Sequence, residues 1–230
     1  MSIEHQLDAF EQTLKQHEFH PVIVPELQFG KGLIVDLSPS SEIWKKVTDE
    51  HDFSAEIKRQ VAETGAVVEI GRYAEQRMIY QDTENFEHTE SRTLHIGLDL
   101  GIPAGNSVFA PIQGEVVAFA NRQIQGDYGP VIILRHQLEG HIFHTLYGHL
   151  ATSSLQDLYI GKIIQAGEAF ATIGTYDENG GWATHLHFQI IRDLGEYLDD
   201  YPGVVDPKQA DFYLRNCPNP NWILGRSDLA

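Results

Sequence analysis

The chain has 230 residues and carries 16 Lys and Arg against 33 Asp and Glu, a formal charge of −17. Nucleic acid, anionic membrane and phosphate-rich wall polymers would all repel such a chain, which argues against each of them as a partner. Apolar residues, at 42%, are those of a globular protein, and runs such as Val116–Ala120 fall far short of the ~20 residues of a membrane span.

In chain order, Ile3, Leu7, Phe10 and Leu14 fall on one face of a helix over residues 3–17. Lys31–Leu37 reads as a strand. Ser38 followed by Pro39 reads as a helix cap, with a short helix around Ile43–Val47. A second helix over Ser54–Thr64 aligns Phe53, Ile57 and Val61 and stops at Gly65; Ala66–Ile70 is a strand. The polar stretch Gln81–Ser91 reads as a linker, which divides the chain into an N-terminal α/β segment over 1–91 and a β-rich domain over 92–230. From Arg92 onward, short β-rich runs recur between Gly and Pro turns: Ser107–Ala110, Glu115–Ala120, Val131–His136, Ile142–Leu150, Ala169–Gly174 and His185–Ile191. That texture predicts an antiparallel sheet, and so an α+β, mainly β fold, with a short helix in the tail. The single cysteine, Cys217, cannot close an internal disulfide, and the start MSIEHQ has neither a basic opening nor an apolar segment of a secretory signal, so a cytoplasmic location is expected.

Twelve histidines is a high number for this length. Three groups stand out: His95-Ile96-Gly97-Leu98-Asp99, Leu146-Tyr147-Gly148-His149-Leu150 and Thr184-His185-Leu186-His187-Phe188. His185 and His187 are two apart on a strand and share one face, while Leu186 and Phe188 face a core. Paired imidazoles on a non-core face suit zinc, whose catalytic sites take three N or O ligands and keep one position for a water activated near neutral pH. His95, Asp99 and one member of the 185/187 pair supply such a set. His149 and the other member are left as acid/base groups, with unperturbed pKa values of ~6.5. The alternative, chance proximity in a histidine-rich chain, stays open on spacing alone. It is the reading taken for His5, His17, His20, His51 and His88.

HIGLD, LYGHL and THLHF, in that order, resemble the lysostaphin or LytM type of zinc endopeptidase, metallopeptidase family twenty-three, with its duplicated hybrid motif fold. The flanking Pro103–Val108, Ala110–Val117, Gly129–His136, Gly161-Lys162 and Gln165–Glu168 join the resemblance, which covers about Arg92–Ile191. It implies a β-sheet groove with the metal on its floor. It assigns His95, Asp99 and His187 as zinc ligands, and His149 and His185 as the pair that polarises water and stabilises the tetrahedral intermediate. The implied activity is cleavage of a peptide or small amide, in the family typically cross-bridges of bacterial cell walls next to glycine. Some members of this fold have lost ligands and act as activators or binding scaffolds, so the alternative is a non-catalytic, metal-bound binding or regulatory module. In some relatives an upstream segment supplies a fourth ligand, a part open here to Asn85 or His88. Gly71–Arg77 and the tail Cys217–Asn221 resemble, more narrowly, the peptidase-like segment of bacterial multidomain proteins that also carry a kinase-like phosphotransferase and a class III aminotransferase. That implies a functional link to such modules and a cytoplasmic substrate.

Other residues carry less. Gly180-Gly181-Trp182 reads as a turn that also lines the groove. Tyr147, Tyr176, His136 and His144 read as structural. Arg72, Arg77 and Arg92 read as ion-pair partners of acidic residues in preference to carboxylate binders, and Cys217 lacks the neighbouring base of a nucleophile.

Overall fold

The computed structural model describes residues 7–48, 50–78 and 92–229. His5, the linker over 81–91 and with it Asn85 and His88 lie outside the described residues. Among the described residues five helices frame the fold: α1 (Ala9–Gln16), α2 (Pro25–Gln28), α3 (Glu50–Thr64), α4 (Ala210–Asn216) and α5 (Asn221–Leu224). The first nine strands are β1 (Gly32–Val35), β2 (Val68–Gly71), β3 (Glu75–Gln76), β4 (Leu94–His95), β5 (Leu98–Gly101), β6 (Ser107–Phe109), β7 (Gly114–Arg122), β8 (Gly129–Leu138) and β9 (His141–Gly148). They are followed by β10 (Ile163–Ile164), β11 (Ala169–Thr172), β12 (His185–Ile191) and β13 (Val204–Val205). The fold is α+β and mainly β.

Eight strands form one sheet in the order β1-β2-β5-β12-β9-β8-β7-β10, antiparallel except for the β1–β2 pair. A three-stranded sheet, β13-β4-β3, carries His95, and β6 pairs with β11. Both faces of the large sheet are covered, which explains the unbroken apolar run Val131–Leu134 in β8. Ile132 and Leu134 enter a core with Leu98, Leu100, Leu186, Phe188 and Ile190, whereas Val131 and Ile133 enter another with Leu94, Ile96, Ile191, Tyr201 and Cys217.

The residues before 92 are built into this architecture. Strands β1 and β2 extend the large sheet through the β2–β5 pairing, and Phe10, Leu14, Val22 and Ile23 sit in its first core. Helix α1 starts at a capping box in which Asp8 and Glu11 each accept the other's backbone N–H. The helix therefore begins after Leu7, and Ile3, expected on the same apolar face, lies outside the described residues. The cap expected at Ser38-Pro39 does not form. The Ser38 carbonyl instead accepts the Trp44 indole N–H at 2.7 Å, and Ser41 caps a tight 3-10 turn over Glu42–Lys45. Helix α3 ends at Gly65, whose φ of +67° only glycine adopts freely.

Candidate metal centre

Register places the centre. In β12, His187 lies opposite Asp99 of β5 and opposite Gly148 of β9, so Asp99 and His187 rise from the same face of adjacent strands. His95 reaches them from the small sheet, where it pairs with Val204 and Glu75. The three converge closely: His95 Nε2 is 3.1 Å from His187 Nδ1 and 3.2 Å from Asp99 Oδ1, and His187 Nδ1 is 3.1 Å from the same oxygen. All three residues are buried.

The outer atoms decide what these inner atoms offer. His95 Nδ1 lies 2.9 Å from the Arg72 carbonyl, which only accepts, so this nitrogen carries the proton and Nε2 is a bare lone pair. The Gln189 amide donates to the Pro202 carbonyl and to Cys217 Sγ, which turns its Oε1 toward His187 Nε2 at 3.0 Å. His187 therefore donates outward from Nε2 and turns Nδ1 inward, the nitrogen that would ligate a metal. Arg77, buried, holds the outer Asp99 Oδ2 at 2.7 Å and is itself bound to Glu75 at 3.0 Å. Burial works against the Asp99 charge, but His95 and Arg77 beside it hold its carboxyl well below the usual range. Burial, reinforced by the Arg77 charge, lowers His95 to about 4, which keeps it neutral.

With their outer nitrogens donating to the Arg72 carbonyl and to Gln189, the two rings turn their other nitrogens toward Asp99 Oδ1, a compact set of three donor atoms that a cation satisfies. A tetrahedral zinc with ligands at about 2.0–2.1 Å sets its donor atoms roughly 3.3 Å apart, so the triangle fits that ion in both chemistry and size. Each ligand is also backed from behind by an acceptor or a cation, as metal ligands characteristically are.

His149 and His185 flank the triad. Alternation along β9 would send His149 to the face away from His144, which lies opposite Ile191 on the site side. A left-handed backbone at His149 (φ 62°) turns it back toward the centre, and its amide and carbonyl are pinned by Tyr128 O and Gly174 N. The His149 and His185 rings are 4.1 Å apart at their centroids. Each donates Nδ1–H to a carbonyl, Asn179 at 2.8 Å and Ala183 at 2.7 Å, which leaves both Nε2 atoms bare. Loss of water, and then repulsion from His185, pushes His149 well below the usual histidine range; His185 is also lowered by burial. His185 Nε2 stands 3.9 Å from Asp99 Oδ1. The five residues singled out in the sequence therefore lie together: Asp99, His149, His185 and His187 line a groove of about 530 Å³, and His95 is fully buried beside them.

Sequence reasoning missed several contributors. Tyr128 packs edge-on against His187 and tilted against His149, with its hydroxyl on the Tyr201 carbonyl at 3.0 Å. Gln189 is findable in hindsight, because it lies two residues beyond His187 on the same strand face. Gly97 of the first motif leaves room for the His187 ring, since a Cβ there would overlap it. Gly97→Ala should consequently fold yet bind zinc at least about 10-fold more weakly, the scale of a displaced ligand support, as a chelator competition would show. Wild-type affinity in this variant would mean the ring has slack.

The remaining readings resolve simply. Trp182 and Gly126 line the groove, and Gly180 and Gly181 turn at φ 87° and 80°. Tyr147 is buried on the opposite face with Thr145, Tyr176 is half-exposed away from the groove, and His136 bonds Gln113 O and Thr145. Arg72 pairs with Asp36 and Glu75, and Arg92 Nε donates to the Val204 carbonyl. Cys217 is buried, its thiol pushed up to about 12 by desolvation, which excludes a nucleophile.

Residues 93–200 match the family described as Peptidase family M23. Among solved structures, LytU is 24% identical, with 60% of this chain and 83% of that one covered at a TM-score of 0.37. The catalytic domain of lysostaphin from Staphylococcus simulans is also 24% identical, with coverage of 53% and 80% and a TM-score of 0.36. A zinc-containing peptidase from Vibrio cholerae is 23% identical over 45% of this chain, at a TM-score of 0.35; the match spans only 29% of its length. No curated protein matches the chain.

Proposed function

We propose that the chain is a zinc-dependent hydrolase of a peptide or amide bond. The observation that carries this reading is the set of three donor atoms, His95 Nε2, Asp99 Oδ1 and His187 Nδ1, converging at 3.1–3.2 Å beside an open groove. The match of residues 93–200 to a peptidase family supports it. Zinc held by these residues supplies Lewis acidity to the scissile carbonyl and to water.

The chain's own groups do the rest. His149 and His185, both with Nε2 unprotonated, accept the proton of the attacking water and return it to the departing amine. When either is protonated, the carbonyl behind its Nδ1–H, that of Asn179 or Ala183, stabilises the imidazolium and fixes its orientation. Tyr128 and Trp182 wall the site and limit the water that reaches it.

For the substrate, we infer a small peptide or amide of the cytoplasm, reached in functional association with an aminotransferase or kinase-like module. The −17 charge and a lone buried thiol, rather than disulfides, support that setting, as does the resemblance of Gly71–Arg77 and Cys217–Asn221. The test is to offer zinc-loaded protein oligoglycine peptides, peptidoglycan fragments and small γ-glutamyl or ethanolamine-type amides. Cleavage should vanish with a chelator and return with zinc. Absence of stoichiometric zinc from metal-replete protein defeats the hydrolase reading, and exclusive cleavage of wall fragments defeats the cytoplasmic one.

A further inference from the structure

Strand β2 brings a carboxylate to the groove from outside the residues that match the peptidase family. Glu69 lies opposite Gly101 of β5, and Gly101 lies opposite His185 of β12. Residues opposite one another on antiparallel strands share a face, so Glu69, Gly101 and His185 form one row across the floor. The row beside it is Gly71, Asp99 and His187.

Gly101 has no side chain, and the Glu69 carboxylate occupies the space above it: a Cβ at 101 would lie 2.9 Å from Glu69 Oε2. The carboxylate therefore stands about one strand spacing, roughly 5 Å, from the strand of His185. Past Glu69 the groove becomes apolar, with Val35, Leu37, Phe53 and Ile57 along its wall.

Glu69 is half-buried and lines the groove, yet among the described residues its carboxylate accepts no hydrogen bond and joins no ion pair. Lys58 acts on it only at a distance, and desolvation pushes its pKa up. Arg77, in the neighbouring row, already holds Glu75 and Asp99. A partly dehydrated carboxylate with no partner of its own, facing a groove, is costly unless a ligand brings the cation.

We propose that Glu69 is a specificity-determining residue that binds a primary ammonium group of the substrate, within one or two residues of the scissile bond, with the adjoining apolar part of the substrate on the Val35–Ile57 wall. The assignment rests on the hydrolase reading for the position of that bond. An extended peptide advances roughly 3.4 Å per residue, so both an amino terminus and a short aminoalkyl side chain reach Glu69.

The test uses the zinc-loaded full chain and three probes: tetraglycine amide with a free amino terminus, its N-acetylated form, and an N-acetylated tetrapeptide amide with lysine in the first position. Binding is read by calorimetry, cleavage by amine release, and zinc content by mass spectrometry. A hydrogen bond to a charged group predicts that an ammonium-bearing probe binds roughly 10- to 100-fold better than acetylated tetraglycine amide. Glu69→Gln should erase that preference by weakening only the ammonium-bearing probe, with zinc content unchanged. Whether the free terminus or the lysine is favoured identifies the source of the ammonium. The assignment is overturned if the wild type binds neither ammonium probe better than the acetylated one, or if Glu69→Gln keeps the preference. If none of the probes is cleaved but the binding preference appears and is lost in Glu69→Gln, the site stands and only the hydrolase reading suffers.

Discussion

His187→Ala should lose zinc binding, and with it the proposed hydrolysis, but remain folded, whereas Asp99→Ala should lose both and also be destabilised. The contrast follows from what stands behind each ligand. Removing the His187 ring frees a neutral Gln189 amide, which keeps its bonds to Pro202 and Cys217, and leaves no charge stranded. Removing the Asp99 carboxylate takes from Arg77, whose side chain is 2% exposed, the partner that its Nη1 holds at 2.7 Å, beside the one at Glu75. Breaking a buried pair from one side costs about 3 kcal/mol or more. Gln189→Leu calibrates the scale: it spares the three donors but releases the proton that points His187 Nδ1 inward, and should weaken zinc binding by roughly 10- to 100-fold. Zinc stoichiometry and denaturant midpoints of the three variants check the ordering. Equal stability of the two ligand variants would show that Arg77 finds a new partner, and full zinc occupancy in His187→Ala would remove this residue from the ligand set.

The part of the site that could be read from sequence is the part that strand alternation controls. His185, His187 and the inward Leu186 and Phe188 are a two-residue period, and the structure keeps it. Side-chain partners far apart in sequence could not be read the same way. The tautomer of His95 depends on the Arg72 carbonyl, 23 residues away, and Asp99 on Arg77, 22 residues away. Local rules also failed where a backbone departs from its strand: alternation assigns His149 to the wrong face because it cannot anticipate a left-handed residue at the end of β9. The pairing of β2 with β5 was equally hidden, since the intervening polar stretch reads as a break between two parts. That pairing has consequences for function, because it places Glu69 on the floor of the groove. At Ser38-Pro39 the cap signal was real in composition but lost to Ser41, three residues on, where the Trp44 indole draws the chain into a tighter turn.

His149→Ala, by contrast with the ligand variants, should keep its zinc and lose on the order of 10² to 10⁴ in rate, the usual worth of a placed acid/base group. Its Nε2 is outside the donor triangle, its Nδ1 proton is committed to Asn179, and burial together with His185 keeps the ring neutral and ready to accept a proton. The backbone supplies an independent check. A non-glycine residue at φ 62° carries roughly 1–2 kcal/mol of strain that glycine does not. His149→Gly and His149→Ala remove the same imidazole, so their rates should fall alike, while the glycine variant should be the more stable by about 1 kcal/mol in denaturant unfolding. If the two are equally stable, the left-handed turn is not holding strain. If His149→Ala retains the wild-type rate, the imidazole is not a proton carrier and His185 must serve alone. Two main-chain hydrogen bonds hold this side chain where strand geometry would not put it. A position kept at such a cost, beside a metal triad and with a bare nitrogen toward the groove, is better explained by chemistry at that nitrogen than by packing.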